Sequence, residues 1–460
     1  MAATDLKSYV ERFENMARGL GLDFYPVEIE VVPASFMMEV AVYGLPVRMA
    51  HWSFGQRYIH QLVQHRMGFS RIFEVVFPGN PARAYLANSN SLQENILVLA
   101  HVLGHADFAK NNDLFQTMQI QAGSRIVEQA ATHARHIESA IEEYGQARVE
   151  EVLDAALALE PHIDDHQALS RPEYLDHQRK PDKFKPGIFQ ERYSSLPGES
   201  EDNARPVTHK SVSLPPHPEY DLLWFIAHYA PDMEDWERDI FLAVREESFY
   251  FHPIFRCNIM NEGWASYWHA RLLREADFLP SQWYVDALKA HSDVVRPYAG
   301  EGEVSLAINP YHLGFVLWER IIDRHGMADA RRILRDEDDF AFVHNHLDEE
   351  FARDLGLFVY DARSNGELKV ADWDIAKVRE AILARRYNYG APRIMVHHTG
   401  PDGTLTLRHE HEIDGRGLDL AYARRVLGYI HRIWRRPIRI DTVDDHGSAI
   451  TLEQTDASTH

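Results

Sequence analysis

The chain has 460 residues, 45% of them hydrophobic and 26% charged, the balance of a folded protein rather than a fibrous or disordered one. Seventy acidic against 48 basic side chains give a formal charge of −22, a field that repels nucleic acid and anionic lipid, so no nucleic-acid partner is expected. A lone cysteine, Cys257, excludes an intrachain disulfide and a cysteine-built zinc cage; with no apolar run of roughly 18 residues and no signal-peptide pattern at the amino terminus, the expectation is a soluble, cytoplasmic protein.

Leu6, Tyr9, Val10, Phe13, Met16 and Ala17 recur at helical spacing ahead of Gly19 and Gly21 and predict an amphipathic helix over residues 5–19. A second helix follows Ser53 and stops near Gly68, and FEVVFPGNPARAYL, residues 73–86, reads as a strand, a turn and a short extended piece. Ser91 then opens a nearly uncharged helix, with ENILVLAHVLGHADFAKNN running from Glu94 to Asn112. Helical text continues over 124–160, with Gly145 as a break. Nine prolines fall within residues 161–218, where each removes a backbone donor and fixes φ, so this span is expected to be irregular: a lid, a partner-docking segment or plain disorder. Helices resume at 220–230, 232–251, 258–276, 280–290, 310–325, 328–335 and 372–389. After Gly390 the pattern changes to RIMVHHTG, TLTLRHEHE, LDLAYARRVLGYIHRIW, PIRIDTVDD and AITLEQT, which is strand, strand, helix, strand, strand. The expected fold is therefore mainly α, with a large multi-helix domain over 1–390 and a small α+β domain of ββαββ order over 391–460.

Successive helical residues turn by about 100°, so Glu94, His101 and His105 share a face. Two imidazoles at i and i+4 can offer two nitrogens to one divalent ion, as in H-E-x-x-H. Here the text is H-V-L-G-H, and Val102 stands where that motif carries its general base, so a peptidase of that type is not supported. Ser91 and Glu94 fit a capping box, which gives Glu94 a role that needs no metal. The two histidines keep two open readings: metal ligands, or core residues satisfied by carbonyls or a carboxylate. Far along the chain, NIMNEGWASYWHARLLRE places Glu262 and His269 seven apart on one face among Met260, Trp264, Ala265 and Trp268. A carboxylate buried there needs a cation or a donor. His101, His105 and Glu262, with His269 as a further candidate ligand, would make a metal set with a position left for water, the arrangement of catalytic zinc. The competing reading of Glu262 is an ion pair between helices.

In VREESFYFHP, Glu247 falls on the stripe of Trp236, Ile240 and Val244 and is expected inward, with Glu246 solvated. Glu247 and Glu262 are then the candidate catalytic carboxylates. Asn309 and Pro310 begin a helix with His312, Val316 and Glu319 along one side, Glu319 having Arg320 or solvent as its other reading. In HWSFG, Ser53 reads as a helix cap and the aromatics as core. No G-x-G-x-x-G, Walker loop or G-x-S-x-G occurs, so nucleotide binding and serine hydrolase chemistry lack their usual marks.

HWSFG at 51–55, AHVLGHADFAKNN at 100–112, MNEGWASYWH at 260–269 and INPYHLG at 308–314 resemble the stage V sporulation protein R (SpoVR-like) family. GAPRIMV at 390–396 and LDLAYARRVLGYIHRIWRRPI at 418–438 resemble the same family, so the likeness spans nearly the whole chain. The chain departs from the family pattern at Ala109, where a second phenylalanine is common. The resemblance implies a link to the peptidoglycan cortex of the spore, in a family that also occurs in bacteria that make no spores, and a serine protein kinase as an associated partner. It implies no reaction. Two functions remain open: a metal-dependent hydrolase, zinc expected, cleaving an amide or peptide bond of cell-wall material with Glu247 as base; or a regulatory scaffold with structural histidines, whose proline-rich span docks the kinase. A di-iron or di-manganese site suits the helical setting, but the Glu-x-x-His spacing is missing.

Overall fold

A computed structural model describes residues 2–45, 48–66, 74–122, 125–164, 219–283, 285, 289, 309–357, 359–362, 368–372, 374–384, 390–414, 417–444 and 447–455. The amino-terminal part runs α1 (Ala2–Gly19), β1 (Val27–Val32), α2 (Ala34–Tyr43), α3 (Trp52–Arg66), β2 (Glu74–Phe77), β3 (Ala82–Ala87), α4 (Leu92–Asn111), α5 (Asp113–Ala122), α6 (Ile126–Tyr144) and α7 (Gln146–Ala158). It continues with α8 (Leu222–Tyr229), α9 (Asp235–Arg256), α10 (Asn258–Glu275), α11 (Pro310–His325), α12 (Met327–Asp336), α13 (Asp339–His346), α14 (Glu349–Asp354), β4 (Val359–Ala362), β5 (Leu368–Asp372) and α15 (Ile375–Leu383). The fold is mainly α, as the periodicity predicts. The first helix buries Phe13 and Ala17 completely, and Gly145, at φ 89°, separates α6 from α7.

Strand β1 is an addition to the expected elements. It pairs in parallel with β3, from Val27 opposite Ala82 to Val32 opposite Ala87, and β2 pairs antiparallel on the far side of β3. A parallel pair needs a long crossover, which α2 and α3 supply. Another correction falls at 372, where the text reads as the start of a helix; β5 ends there, paired antiparallel with β4, and the helix begins at Ile375. Of the irregular span expected at 161–218, residues 165–218 lie outside the described residues, as do 284, 286–288 and 290 of the helix expected at 280–290.

After residue 390 come β6 (Ile394–Thr399), β7 (Leu405–His409), the single turn α16 (His411–Asp414), α17 (Leu420–Trp434), β8 (Ile438–Val443) and β9 (Ala449–Gln454). The sheet order is β6-β7-β8-β9, antiparallel except for the parallel pair β7–β8 that α17 bridges, so this unit is the expected ββαββ. It shares its core with the helices before it. Trp434 of α17 stacks on Phe225 of α8 at 5.9 Å, the Val396 N–H donates to the Glu219 carbonyl at 2.8 Å, and Arg435 pairs with Glu237 at 2.5 Å.

The apolar interior forms two blocks. One joins α2, α6, α7, α8 and α9 to the carboxyl-terminal sheet and α17. The other gathers α1, α4, α10, α11, α12, α13 and α15. A buried ionic cluster braces the first block. Arg48 donates from Nε to Glu247 Oε2 at 2.6 Å and from a terminal nitrogen to Glu160 at 2.7 Å, while His133 Nδ1 lies 3.2 Å from Glu247 Oε1. Burial opposes charge on His133, but hydrogen bonds and charge from Glu246 and Glu247 outweigh it and push its pKa from 6.5 up to about 9. A histidine raised in this way contributes stability that is complete below pH 6.5 and lost as pH climbs through about 9. The thermal midpoint is therefore expected to fall across that window, and His133→Gln to flatten the fall, read by scanning fluorimetry in a pH series.

Candidate metal centre

Why a buried helix should carry a glycine between two histidines is answered by its packing. A Cβ on Gly104 would sit 2.6 Å from the Cα of Ala265, so only glycine lets α4 lie directly on α10. Gly263 and Gly314 make an equally close crossing of α10 with α11, where a Cβ on Gly263 would fall 2.2 Å from the Gly314 carbonyl carbon. Three helices thus meet with almost no side chain between their backbones, and the residues flanking the crossings face one another. Polar groups fix the phase. Buried Asp339 accepts from the Ile259 and Met260 N–H groups at 2.8 and 2.9 Å, and Trp318 donates to the Met260 carbonyl at 2.9 Å, which anchors the first turn of α10. Farther along α4, fully buried Asp107 accepts from Trp264 at 2.8 Å and from Arg331 at 2.7 Å.

At the junction, His101 Nε2 and His105 Nε2 are 3.0 Å apart, and Glu262 Oε2 lies 3.4 Å from the second and 3.6 Å from the first. Ligand bonds of about 2.0–2.1 Å in a tetrahedral site would set donor atoms roughly 3.3 Å apart. The separations therefore suit one small divalent ion. His105 Nδ1 donates to Asn261 Oδ1 at 2.9 Å, which leaves its Nε2 lone pair facing the cluster. Burial lowers the His105 pKa, so the ring is neutral, the form that ligates. Burial also pushes Glu262 up, but His105, His101 and the Tyr311 hydroxyl outweigh it and hold this carboxyl below its ordinary value. Glu262 Oε2 is buried with no hydrogen-bond donor in ordinary geometry. With the His101 proton on Nε2, that nitrogen donates to His105 Nε2 at 3.0 Å; with the proton on Nδ1, two ring lone pairs and the Glu262 oxygen face one point, and a cation would satisfy all three at once.

Two further groups close in. Glu74 of β2 places Oε1 3.9 Å from His101 Nε2, and burial, partly offset by His105, pushes its carboxyl up to about 7. Tyr311 of α11 lies nearly parallel to His101, 6.3 Å between centroids, with its hydroxyl on Glu262. Glu94 forms the capping box, with the Ser91 N–H donating to its carboxylate at 2.7 Å. His269, proposed from sequence as a ligand, stands beside the cluster at 5.7 Å between rings and is not one of the three residues whose donor atoms lie within 4.8 Å of one another. Glu247 points inward as expected, but in the other core block, where Arg48 and His133 hold both its oxygens. Its neighbour Glu246, expected in solvent, pairs with His133 at 3.4 Å. On α11 the site takes Tyr311 rather than His312, and Glu319 is exposed.

Asn261, Glu74 and Tyr311 are the residues that sequence reasoning missed. Each sits beside a recognised motif: Asn261 before Glu262, Glu74 as the one charge in FEVVF, Tyr311 inside NPYHLG. If Asn261 sets the His105 ring, Asn261→Ala is expected to weaken metal binding about 10–100-fold, measured by competition with a chromogenic chelator.

Comparison with known proteins places the chain in context. A family model described as SpoVR like protein matches residues 1–391, and one described as SpoVR-like C-terminal domain matches residues 392–445. The uncharacterized protein YcgB of Escherichia coli (strain K12) is 28% identical over 487 aligned positions, covering 98% of this chain and 94% of that protein. No solved structure matches the chain. Among the described residues, no helix is long and apolar enough to cross a membrane.

Proposed function

The chain belongs to the SpoVR-like family, and from that premise we propose that it is a metal-dependent hydrolase built on His101, His105 and Glu262. The observation that carries the reading is the convergence of two Nε2 atoms and a donorless carboxylate oxygen from helices about 160 residues apart in sequence. His101, His105 and Glu262 would hold a divalent ion, zinc first by its donor set, and the ion would supply a Lewis acid for a carbonyl and acidify a water. Among the described residues Glu74 Oε1 is a further carboxylate beside the cluster, 3.9 Å from His101 Nε2, and would accept a proton there and return it to a leaving amine. The Tyr311 hydroxyl holds Glu262, and Asn261 holds His105. The family's link to the spore cortex suggests an amide or peptide bond of cell-wall material as substrate.

The test is incubation of the zinc-, manganese- or iron(II)-loaded protein with purified muropeptides, read by mass spectrometry. A new amine and carboxyl pair that disappears with chelator and in Glu74→Gln supports the reading. Muropeptides left intact by every metal form overturn the substrate assignment. The scaffold alternative, with a serine protein kinase as partner, takes His101 and His105, 3.6 and 3.4 Å from Glu262 Oε2, as its ion-pair partners and predicts metal-free protein.

A further inference from the structure

HWSFG sits apart from the metal-binding residues, at the start of α3, and carries a second reactive constellation. Ser53 donates its hydroxyl to His51 Nδ1 at 2.8 Å, and His51 Nε2 donates to Asp154 Oδ1 at 3.0 Å. Trp52 Nε1 donates to the same carboxylate oxygen at 2.7 Å and so fixes it. The imidazole is buried, with 3% of its side chain exposed, and Asp154 nearly so at 16%, whereas Ser53 is half-buried. Burial lowers the His51 pKa, leaving a neutral ring. With its N–H committed to Asp154, the ring can offer only a lone pair to the hydroxyl. This is the connectivity by which a carboxylate orients a histidine and the histidine activates a serine. The Ser53 backbone N–H also points at His51 Nδ1, at 3.4 Å, so the ring caps the first turn of α3 as well as facing the hydroxyl, which makes the shorter contact of the two.

We propose that Ser53 is a nucleophile, with His51 as its base and Asp154 as the group that orients the base, acting on carboxylic esters with an apolar acyl chain. The apolar preference comes from Trp52 and Ile59, seven apart on one flank of α3 and 53% and 64% exposed. Ser53 Oγ attacks the carbonyl carbon while its proton passes to His51 Nδ1. The bond to the alcohol oxygen breaks and the alcohol leaves with that proton. Water then attacks the acyl-serine, giving its proton to the same nitrogen, and the serine is released with the acid. Ester plus water gives acid plus alcohol, with no other reactant.

The experiment treats the full-length protein, in chelator, with a fluorophosphonate probe and with p-nitrophenyl butyrate. Phosphonylation of Ser53, located by peptide mass spectrometry, is expected to fall at least about 100-fold in Asp154→Asn and to vanish in Ser53→Ala. Ester turnover should fall with it. Ser53→Cys, which changes one atom, is expected to alkylate with iodoacetamide faster than a cysteine in unfolded protein. A Ser53 no more reactive than free serine, labelling unchanged in Asp154→Asn, or labelling that needs metal would each overturn the proposal. None of these readouts depends on the metal-binding residues, so either reading can fail alone.

Discussion

Protein purified without a histidine tag or added metal is expected to carry about one divalent ion per chain, and His101→Ala, His105→Ala and Glu262→Ala each to lose it. Removing any one leaves two ligands where zinc ordinarily takes at least three from the protein. The loss should exceed the roughly 10–100-fold that a change in a supporting residue costs. The donor set of two histidines and one carboxylate also fits iron(II), so elemental analysis is to be read for both metals. Far-UV circular dichroism establishes that the variants fold. His269→Ala supplies the contrast: it sits beside the cluster and should keep the ion. Wild-type protein that is metal-free and stays so after incubation with zinc, manganese or iron(II) would falsify the metal reading.

Gly263→Ala and Gly314→Ala are expected to destabilise the protein by about 2–3 kcal/mol, although each gains up to about 1 kcal/mol of helix propensity. The new methyl of Gly314→Ala would lie 2.0 Å from the Ile259 carbonyl oxygen. Backbone rather than a flexible side chain blocks it, so α10 and α11 must separate. Because Glu262 adjoins Gly263 and Tyr311 lies three residues before Gly314, the same variants should bind metal more weakly. Gly428 gives the opposite sign. It lies in the middle of α17 with nothing within 4 Å of a Cβ, and Gly428→Ala should be neutral or stabilising by up to about 1 kcal/mol. Denaturation midpoints in guanidinium measure all three.

Much of this organisation is legible in the sequence because it rests on local rules. The capping box at Ser91 and Glu94, the Asn309 cap with Pro310 behind it, and the alternating strands around α17 depend on neighbours a few residues away. Pairing His101 and His105 with Glu262 needs more, namely that a carboxylate amid tryptophans must meet a positive or donating group. What the sequence hides is phase and distance. Helix α4 is apolar nearly all round, so no stripe tells which side meets α10; the near contact at Gly104 decides it. Tyr311 and His312 differ by one 100° step, and the crossing at Gly314 turns the tyrosine inward. The stripe of Trp236, Ile240 and Val244 marks Glu247 as internal, but its counter-charge, Arg48, is 199 residues away. Strand β1 is not legible in the sequence because its partner lies across two helices, a pairing that adjacent text does not announce.

The stacking of Trp434 on Phe225 has a practical side for anyone dividing this polypeptide at the seam between its two family matches. A fragment stopping at residue 391 would strip the Trp434 cover from Phe225, now shielded from water. Sticky, self-associating material is the foreseeable yield of such a truncation, and co-expressing the missing piece is the remedy to try first.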